Sequence, residues 1–219
     1  DMLDKQGLRD NTLVIYTSDN GPWNQPAYIN KKKGHPAGSI FWGEAGPLRN
    51  GKGSCYEAGV RVPCLVRWPG KVAAGTESSA IFSTLDFLPT FAHLAGFQVP
   101  KDRVIDGVNQ TDLLLGTKPQ GNRQTFVYRN NGVRRGKWKL VSYYSEPRGF
   151  TTGPVGKGDR TGPWELYDME TDRVELNDLS DRETKIKDEL VEAYGRFSER
   201  TGVSEWQAIQ RDLEKIYKE

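Results

Sequence analysis

Five consecutive residues, Leu13-Val14-Ile15-Tyr16-Thr17, form an apolar, β-branched run with no polar alternation. A strand with one wet face alternates. An unbroken run is the pattern of a strand buried on both faces, which belongs to a parallel sheet covered by helices. This run therefore predicts an α/β architecture. Ser18-Asp19-Asn20-Gly21-Pro22 follows at once and stops the strand. A carboxylate and a carboxamide are thereby placed beyond a strand's carboxyl end, where open α/β sheets bind ligands. From Trp23 to Gly53 the chain is polar, rich in Gly and Pro, and without period, which suits a functional loop.

Val62 to Trp68 reads as a second strand, with Pro63 at its start and a Trp68-Pro69-Gly70 turn at its end. Asp86 predicts the cap of a helix reaching Leu94 or Ala95, with Pro89 in its first turn and Gly96 just past its end. Pro100 to Gly121 is irregular and marks a subdomain boundary. Beyond it, Thr125 to Tyr128, Lys137 to Tyr144 and Trp164 to Asp168 read as short antiparallel strands, with turns at Asn131-Gly132 and Gly136. Phe150 to Pro163 is a glycine-rich loop. Ser180 with Glu183 forms a capping box before the helical stripe Ile186, Leu190, Tyr194 and Phe197. Ser204 with Gln207 repeats that signal before Trp206, Ile209, Leu213 and Ile216. The division expected is 1–121 for an α/β part and 122–219 for a small subdomain of antiparallel sheet and helices.

Charge excludes one class of partner. Lys and Arg total 31 against 29 Asp and Glu, and the only basic run is Lys31-Lys32-Lys33, so no nucleic-acid footprint is present. No stretch approaches the roughly 18 apolar residues of a membrane span. Cys55 and Cys64 are too few for a disulfide scaffold or a zinc site and read as packing residues. The chain begins at Asp1 in what reads as a helix end stopped by Gly7, so the lack of a signal peptide is silent about the full-length protein.

Few residues can carry chemistry. Asp19 and Asn20 supply hard oxygen ligands suited to calcium or magnesium, although Asp-Asn-Gly is also an ordinary turn. Gly46 to Ser54 nearly matches the phosphate-cradling pattern G-x-x-x-x-G-K-[S/T]. It fails because Gly53 stands where the hydroxyl should be and no strand leads in. Lys52 is the useful residue there, either as a compact charge for a tetrahedral oxyanion or as a solvated side chain. His35, in the long loop, is a proton donor, a substrate contact or merely a loop residue. His93 reads as packed or surface-exposed, and Glu57, Arg61 and Arg67 as a structural ion-pair network. Asn109-Gln110-Thr111 is a glycosylation sequon, relevant in a secretory eukaryotic protein.

Five stretches, in this order, resemble the type I sulfatases of the alkaline phosphatase superfamily. They are Leu8 to Pro22, Gly46 to Val72, Ser83 to Gly96, the segment around Asp106-Gly107, and Glu165 to Ser180. The resemblance implies the C-terminal part of an alkaline-phosphatase-like sandwich with a mostly parallel sheet, followed by a small antiparallel sheet-plus-helix subdomain. It implies calcium ligation by Asp19 and Asn20, sulfate contact by Lys52, an aryl or sugar sulfate as substrate, and a periplasmic, secreted or lysosomal location. The family's nucleophile is a formylglycine made within C/S-x-P-x-R. That pattern does not occur in these residues, so the formylglycine is expected upstream and the chain alone is expected to be inactive. The family's YEGG appears as Tyr56-Glu57-Ala58-Gly59. A phosphatase, phosphodiesterase or phosphonate hydrolase of the same superfamily is the alternative, as is a non-catalytic binding fragment.

Overall fold

The computed structural model describes residues 2–22, 43–128, 132–142 and 164–201. They belong to two compact units, Asp1–Asp19 with Val62–Phe126 and Asn20–Arg61 with Val127–Glu219.

In the first unit, helix α1 (Met2–Lys5) ends on Gly7 at φ 63°. The Leu8 amide donates to the Leu3 carbonyl at 3.0 Å and the Gly7 amide to Asp4 at 3.1 Å. That bond pair needs a left-handed residue, which glycine supplies at least cost. Strand β1 (Val14–Thr17) pairs antiparallel with β2 (Cys64–Arg67), Val14 opposite Arg67 and Thr17 opposite Cys64. Two expectations are corrected here. β1 is not in a parallel pair, and it is not buried on both faces: Val14, Tyr16 and, on β2, Leu65 are exposed. Apolar β-branched residues specify extended backbone but not the direction of the neighbouring strand, which the connection decides. Cys64 is likewise exposed rather than packed, whereas Cys55 is buried.

A single 3₁₀ turn (Thr84–Asp86) leads into α2 (Phe87–Leu94), which closes on Gly96 at φ 77° by the same bond pair as α1. His93 is exposed on it. The cap differs from expectation. Ser83 caps the turn, with its hydroxyl accepting from Leu85, while Asp86 is wholly buried and accepts from the Ser83 amide at 3.0 Å and the Val108 amide at 2.8 Å. Arg123 grips both Asp86 oxygens and donates to the Asp106 carbonyl at 2.9 Å. A buried carboxylate is tolerable because this guanidinium is buried with it. A Cβ on Gly107 would lie 2.1 Å from the Leu85 carbonyl oxygen, which explains the glycine in that segment. Asn109 accepts from both the amide and the hydroxyl of Thr111, which opens α3 (Thr111–Leu114).

The second unit is built on a sheet ordered β3 (Thr125–Tyr128, of which Val127 and Tyr128 belong to this unit), β4 (Gly132–Arg135), β5 (Trp138–Ser142) and β6 (Trp164–Asp168). β4 was not among the expected strands, because Val133 is its one apolar residue. It is set by the two-residue turn Gly136-Lys137, with Gly136 at φ 54°, pairing Arg135 with Trp138. Alternation then sorts the faces. Val133, Leu140 and Leu166 are cross-strand neighbours on one face and pack against Leu190 and Tyr194 of α4 (Thr184–Thr201). Val141 and Tyr167 point the other way and pack with Cys55, Tyr56 and Met169. The stripe Ile186, Leu190 and Tyr194 thus packs as its spacing predicts. The capping box does not form: α4 begins only at Thr184, and the Ser180 amide instead donates to Asp178 at 2.9 Å. The helix expected after Ser204, the loop Phe150 to Pro163 and the Lys31–Lys33 run lie outside the described residues.

Candidate functional site

The turn Asn20-Gly21-Pro22 and the loop from Gly46 to Gly59 are brought together in the second unit. The Gly21 amide donates to the Gly59 carbonyl at 3.0 Å, and the Lys52 amide donates to the Pro22 carbonyl at 2.8 Å. Contact is close enough to require glycine on both sides. A Cβ on Gly21 would lie 1.7 Å from the Ala58 carbonyl oxygen, and one on Gly59 would lie 2.3 Å from that of Ser54. Lys52 is half-buried. Asn20, also half-buried, donates from Nδ2 to the Gly21 carbonyl at 3.2 Å, which presents the carboxamide oxygen as its acceptor end. Asp19 ends the N-terminal segment of the first unit; it is exposed, and its Oδ1 accepts from Ser18 Oγ at 3.5 Å. His35 lies outside the described residues.

The donor chemistry of Asp19 and Asn20 fits a hard cation. The number of donors does not complete a shell, since calcium takes about 6–8 oxygens. Among the described residues no group of three or more His, Cys, Asp or Glu side chains could hold a metal. The pair would therefore supply only part of a coordination sphere.

Two polar clusters, the first partly buried and the second buried around Lys139, hold the Lys52 loop on the sheet. In the first, Glu165 Oε2 on β6 accepts from Tyr56 Oη at 2.5 Å, Tyr167 Oη at 2.8 Å and Arg49 Nη1 at 3.1 Å. Arg49 also donates to Tyr167 Oη at 2.8 Å, and its guanidinium carbon lies 3.9 Å from the Tyr56 ring centroid. Burial first, then the Glu165 carboxylate, pushes both tyrosine hydroxyls well above their ordinary range, so both stay protonated donors. In the second cluster Lys139 of β5, wholly buried, lies 2.7 Å from both Glu57 Oε1 and Glu175 Oε1, and Arg61 pairs with the other Glu57 oxygen. Glu175 Oε2 accepts from the Glu57 amide at 2.7 Å.

The expected Glu57–Arg61 pair is present, but Arg67 is exposed on β2 of the first unit and Lys139 takes the place expected of it. Burial opposes ionisation of Glu57, yet Lys139 and Arg61 outweigh it and hold that carboxyl below its usual value. At Glu175 burial wins and the pKa is raised. Arg49, Tyr56, Lys139, Glu165, Tyr167 and Glu175 were not foreseen as a set. The signal available was a charged residue on the core-facing side of an otherwise apolar strand, which needs a partner.

Comparison with known proteins gives a consistent picture. Residues 1–97 match the family described as Sulfatase, and residues 50–197 match N-sulphoglucosamine sulphohydrolase, C-terminal. An N-acetylgalactosamine-6-O-sulfatase of Bacteroides thetaiotaomicron is 32% identical over 87% of this chain and 37% of its own length. Human arylsulfatase A is 40% identical over 61% of this chain and 25% of its own. Rat steryl-sulfatase is 46% identical over 52% and 18%. A solved 6S-sulf structure from Bacteroides thetaiotaomicron, reported with its metabolism of multiple glycosaminoglycans, superimposes with TM-score 0.68 at 32% identity, covering 89% of this chain and 40% of that one. A sulfatase from Pseudoalteromonas sp. shares the fold with TM-score 0.70 at 22% identity, covering 92% and 40%. The chain thus spans 18% to 37% of the length of the three curated relatives.

Proposed function

Because this chain belongs to the sulfatase family, as a C-terminal portion of a type I sulfatase, we propose that the protein carrying it hydrolyses sulfate esters. Its fold is that of the C-terminal part of an alkaline-phosphatase-like sulfatase, with a four-stranded antiparallel sheet and a closing helix. The observation that carries the functional reading is the 2.8 Å bond from the Lys52 amide to the Pro22 carbonyl, which ties the Lys52 loop to the turn after Asn20. In this reading Lys52 contacts the sulfate group, and its ammonium stabilises charge that grows on sulfate and the leaving oxygen. Asp19 and Asn20 would hold calcium, which when bound offsets negative charge on the sulfate oxygens. The formylglycine nucleophile is placed outside these 219 residues, since C/S-x-P-x-R is absent from them. His35 is kept as a substrate contact, and residues 1–121 as the catalytic part.

The phosphatase-type and non-catalytic readings are not favoured, as each relative named above is a sulfatase. Aryl and sugar sulfates are the proposed substrates, and a periplasmic, secreted or lysosomal compartment goes with them. Among the described residues no helix is long and apolar enough to cross a membrane.

The test is turnover of a chromogenic aryl sulfate by the full-length protein. Lys52→Ala should lower kcat by roughly 10²–10³, and Lys52→Arg should recover only part, because a planar fork does not replace a point charge. Asp19→Ala should regain activity as calcium is added, and Lys52→Ala should not. Equal rescue of the two, or an unchanged kcat in Lys52→Ala, would remove these assignments.

A further inference from the structure

The segment that carries Lys52 is a closed loop. Its neck is the bond from the Ala58 amide to the Arg49 carbonyl, 3.1 Å long, and inside it the Ser54 hydroxyl and amide both return to the Gly51 carbonyl. Arg49 lies three residues before Lys52 and Tyr56 four residues after it. Both flanks end on the same atom, Glu165 Oε2, at 3.1 Å and 2.5 Å. That atom belongs to β6, which pairs along its whole length with β5. Tyr167, from the same strand, donates to it at 2.8 Å and accepts from Arg49 at 2.8 Å, which closes a ring of three side chains, Arg49, Glu165 and Tyr167, with Tyr56 bonded to the same oxygen.

We propose that Glu165 is a positioning residue that sets the Lys52 ammonium against the sulfate group of the substrate; this rests on the reading of Lys52 as the sulfate contact. An anchor that served stability alone could hold either flank. Here one carboxylate oxygen holds both, so its displacement moves the entry and the exit of the loop together. A lysine stem is flexible, so the place of its charge follows the backbone beneath it. A shift of about 1 Å in such a group can cost up to roughly 10²-fold in rate.

The experiment is a double-mutant cycle in the full-length protein, with aryl sulfate turnover and the unfolding midpoint measured together. Glu165→Gln keeps the shape but removes the charge facing Arg49 and places an amide among donors. We expect kcat to fall about tenfold with KM nearly unchanged, because the loss lies in the transition state. In the Lys52→Ala background the same change should cost nothing further, since there is no ammonium left to place. Tyr167→Phe, which removes one hydroxyl from the ring, should give a smaller loss with the same dependence on Lys52, and it carries the test if Glu165→Gln does not fold. An equal fractional loss in both backgrounds, or none in either, overturns the positioning role while leaving Lys52 in place. An intact rate in Lys52→Ala alone removes the functional reading on which the role depends.

Discussion

Lys139 is a buried cation of the second unit, held by two carboxylates. Its ammonium is wholly buried and sits between Glu57 and Glu175 at 2.7 Å from each. Burial works against its charge, and Tyr128, Glu57 and Glu175 more than offset that, so its pKa is raised. The two carboxylates differ in sign. Glu57, held below its ordinary 4.5, adds stability above that pH and loses it as pH falls through the lowered value. Glu175, raised above 4.5, costs stability as pH rises through its raised value. It also sits at φ 59°, a left-handed conformation that is costly for a side-chain-bearing residue, and it is kept there by Lys139 and by the amide of Glu57. Lys139→Met should therefore cost about 3–5 kcal/mol near neutral pH in urea unfolding, because two buried carboxylates lose their shared cation. Glu57→Gln should cost clearly more than Glu175→Gln at pH 7, and the gap should narrow as pH falls through the lowered pKa of Glu57. Equal costs at pH 7 would show that burial does not separate the two. Such roles were not legible in the sequence. Asp19, Asn20 and Lys52 stand in local patterns, whereas Lys139 and Glu175 acquire meaning only through a pairing between distant positions.

Glycines show the same division between what is local and what is not at the scale of elements. Gly7 and Gly96 were legible as helix stops, since each follows a helical stretch and takes positive φ. The partner of β1 was not legible, nor was β4, nor the late start of α4, because Asp178 draws the Ser180 and Leu166 amides to itself. Two further glycines look alike in sequence and should behave oppositely. Gly195 lies inside α4, and a Cβ there would meet nothing within 4 Å. Gly195→Ala should raise stability by about 0.5–1 kcal/mol, by limiting the unfolded chain and favouring the helix. Gly59 faces the Ser54 and Gly51 carbonyl oxygens at 2.3 Å and 2.6 Å from its would-be Cβ. These are backbone atoms that cannot rotate away, so Gly59→Ala should cost at least ~2 kcal/mol. Its carbonyl also accepts from Gly21, so the Lys52 loop should loosen as well. Thermal unfolding of both variants checks the pair, and a destabilised Gly195→Ala would mean that helix propensity does not decide this position.

At the scale of the whole molecule the two units differ in how much of their apolar surface they bury. The second has a core on each face of its sheet, with Leu140, Val141 and Leu166 completely enclosed. The first exposes Val14, Tyr16, Leu65, Leu88 and Phe91, and carries a groove of about 670 Å³ lined by Leu13, Ile15, Trp68, Phe87 and Phe91. The change after Gly121, from an unbroken apolar strand and a helix to a series of short antiparallel strands, was legible along the chain. That Asn20–Arg61 would join the sheet-bearing unit was not, because its attachment runs through Arg49, Tyr56 and Glu57 to strands far along the chain. A two-stranded ribbon is marginal on its own in water, whereas a sheet of three or more strands with a packed face is not. Opening free energies should therefore differ within one chain. Native-state hydrogen exchange of the 219-residue chain is expected to show the amides of Lys139, Leu140 and Val141 as the slowest set, exchanging only on global opening. Those of Val14 to Thr17 and Cys64 to Arg67 should exchange orders of magnitude faster, through local opening of β1 and β2. Adding urea should accelerate the slow set steeply and the fast set little, because local opening exposes little new surface. Equal protection with equal urea dependence would mean that the ribbon and the sheet open as one cooperative unit, and that the exposed apolar faces of β1 and β2 are covered in solution.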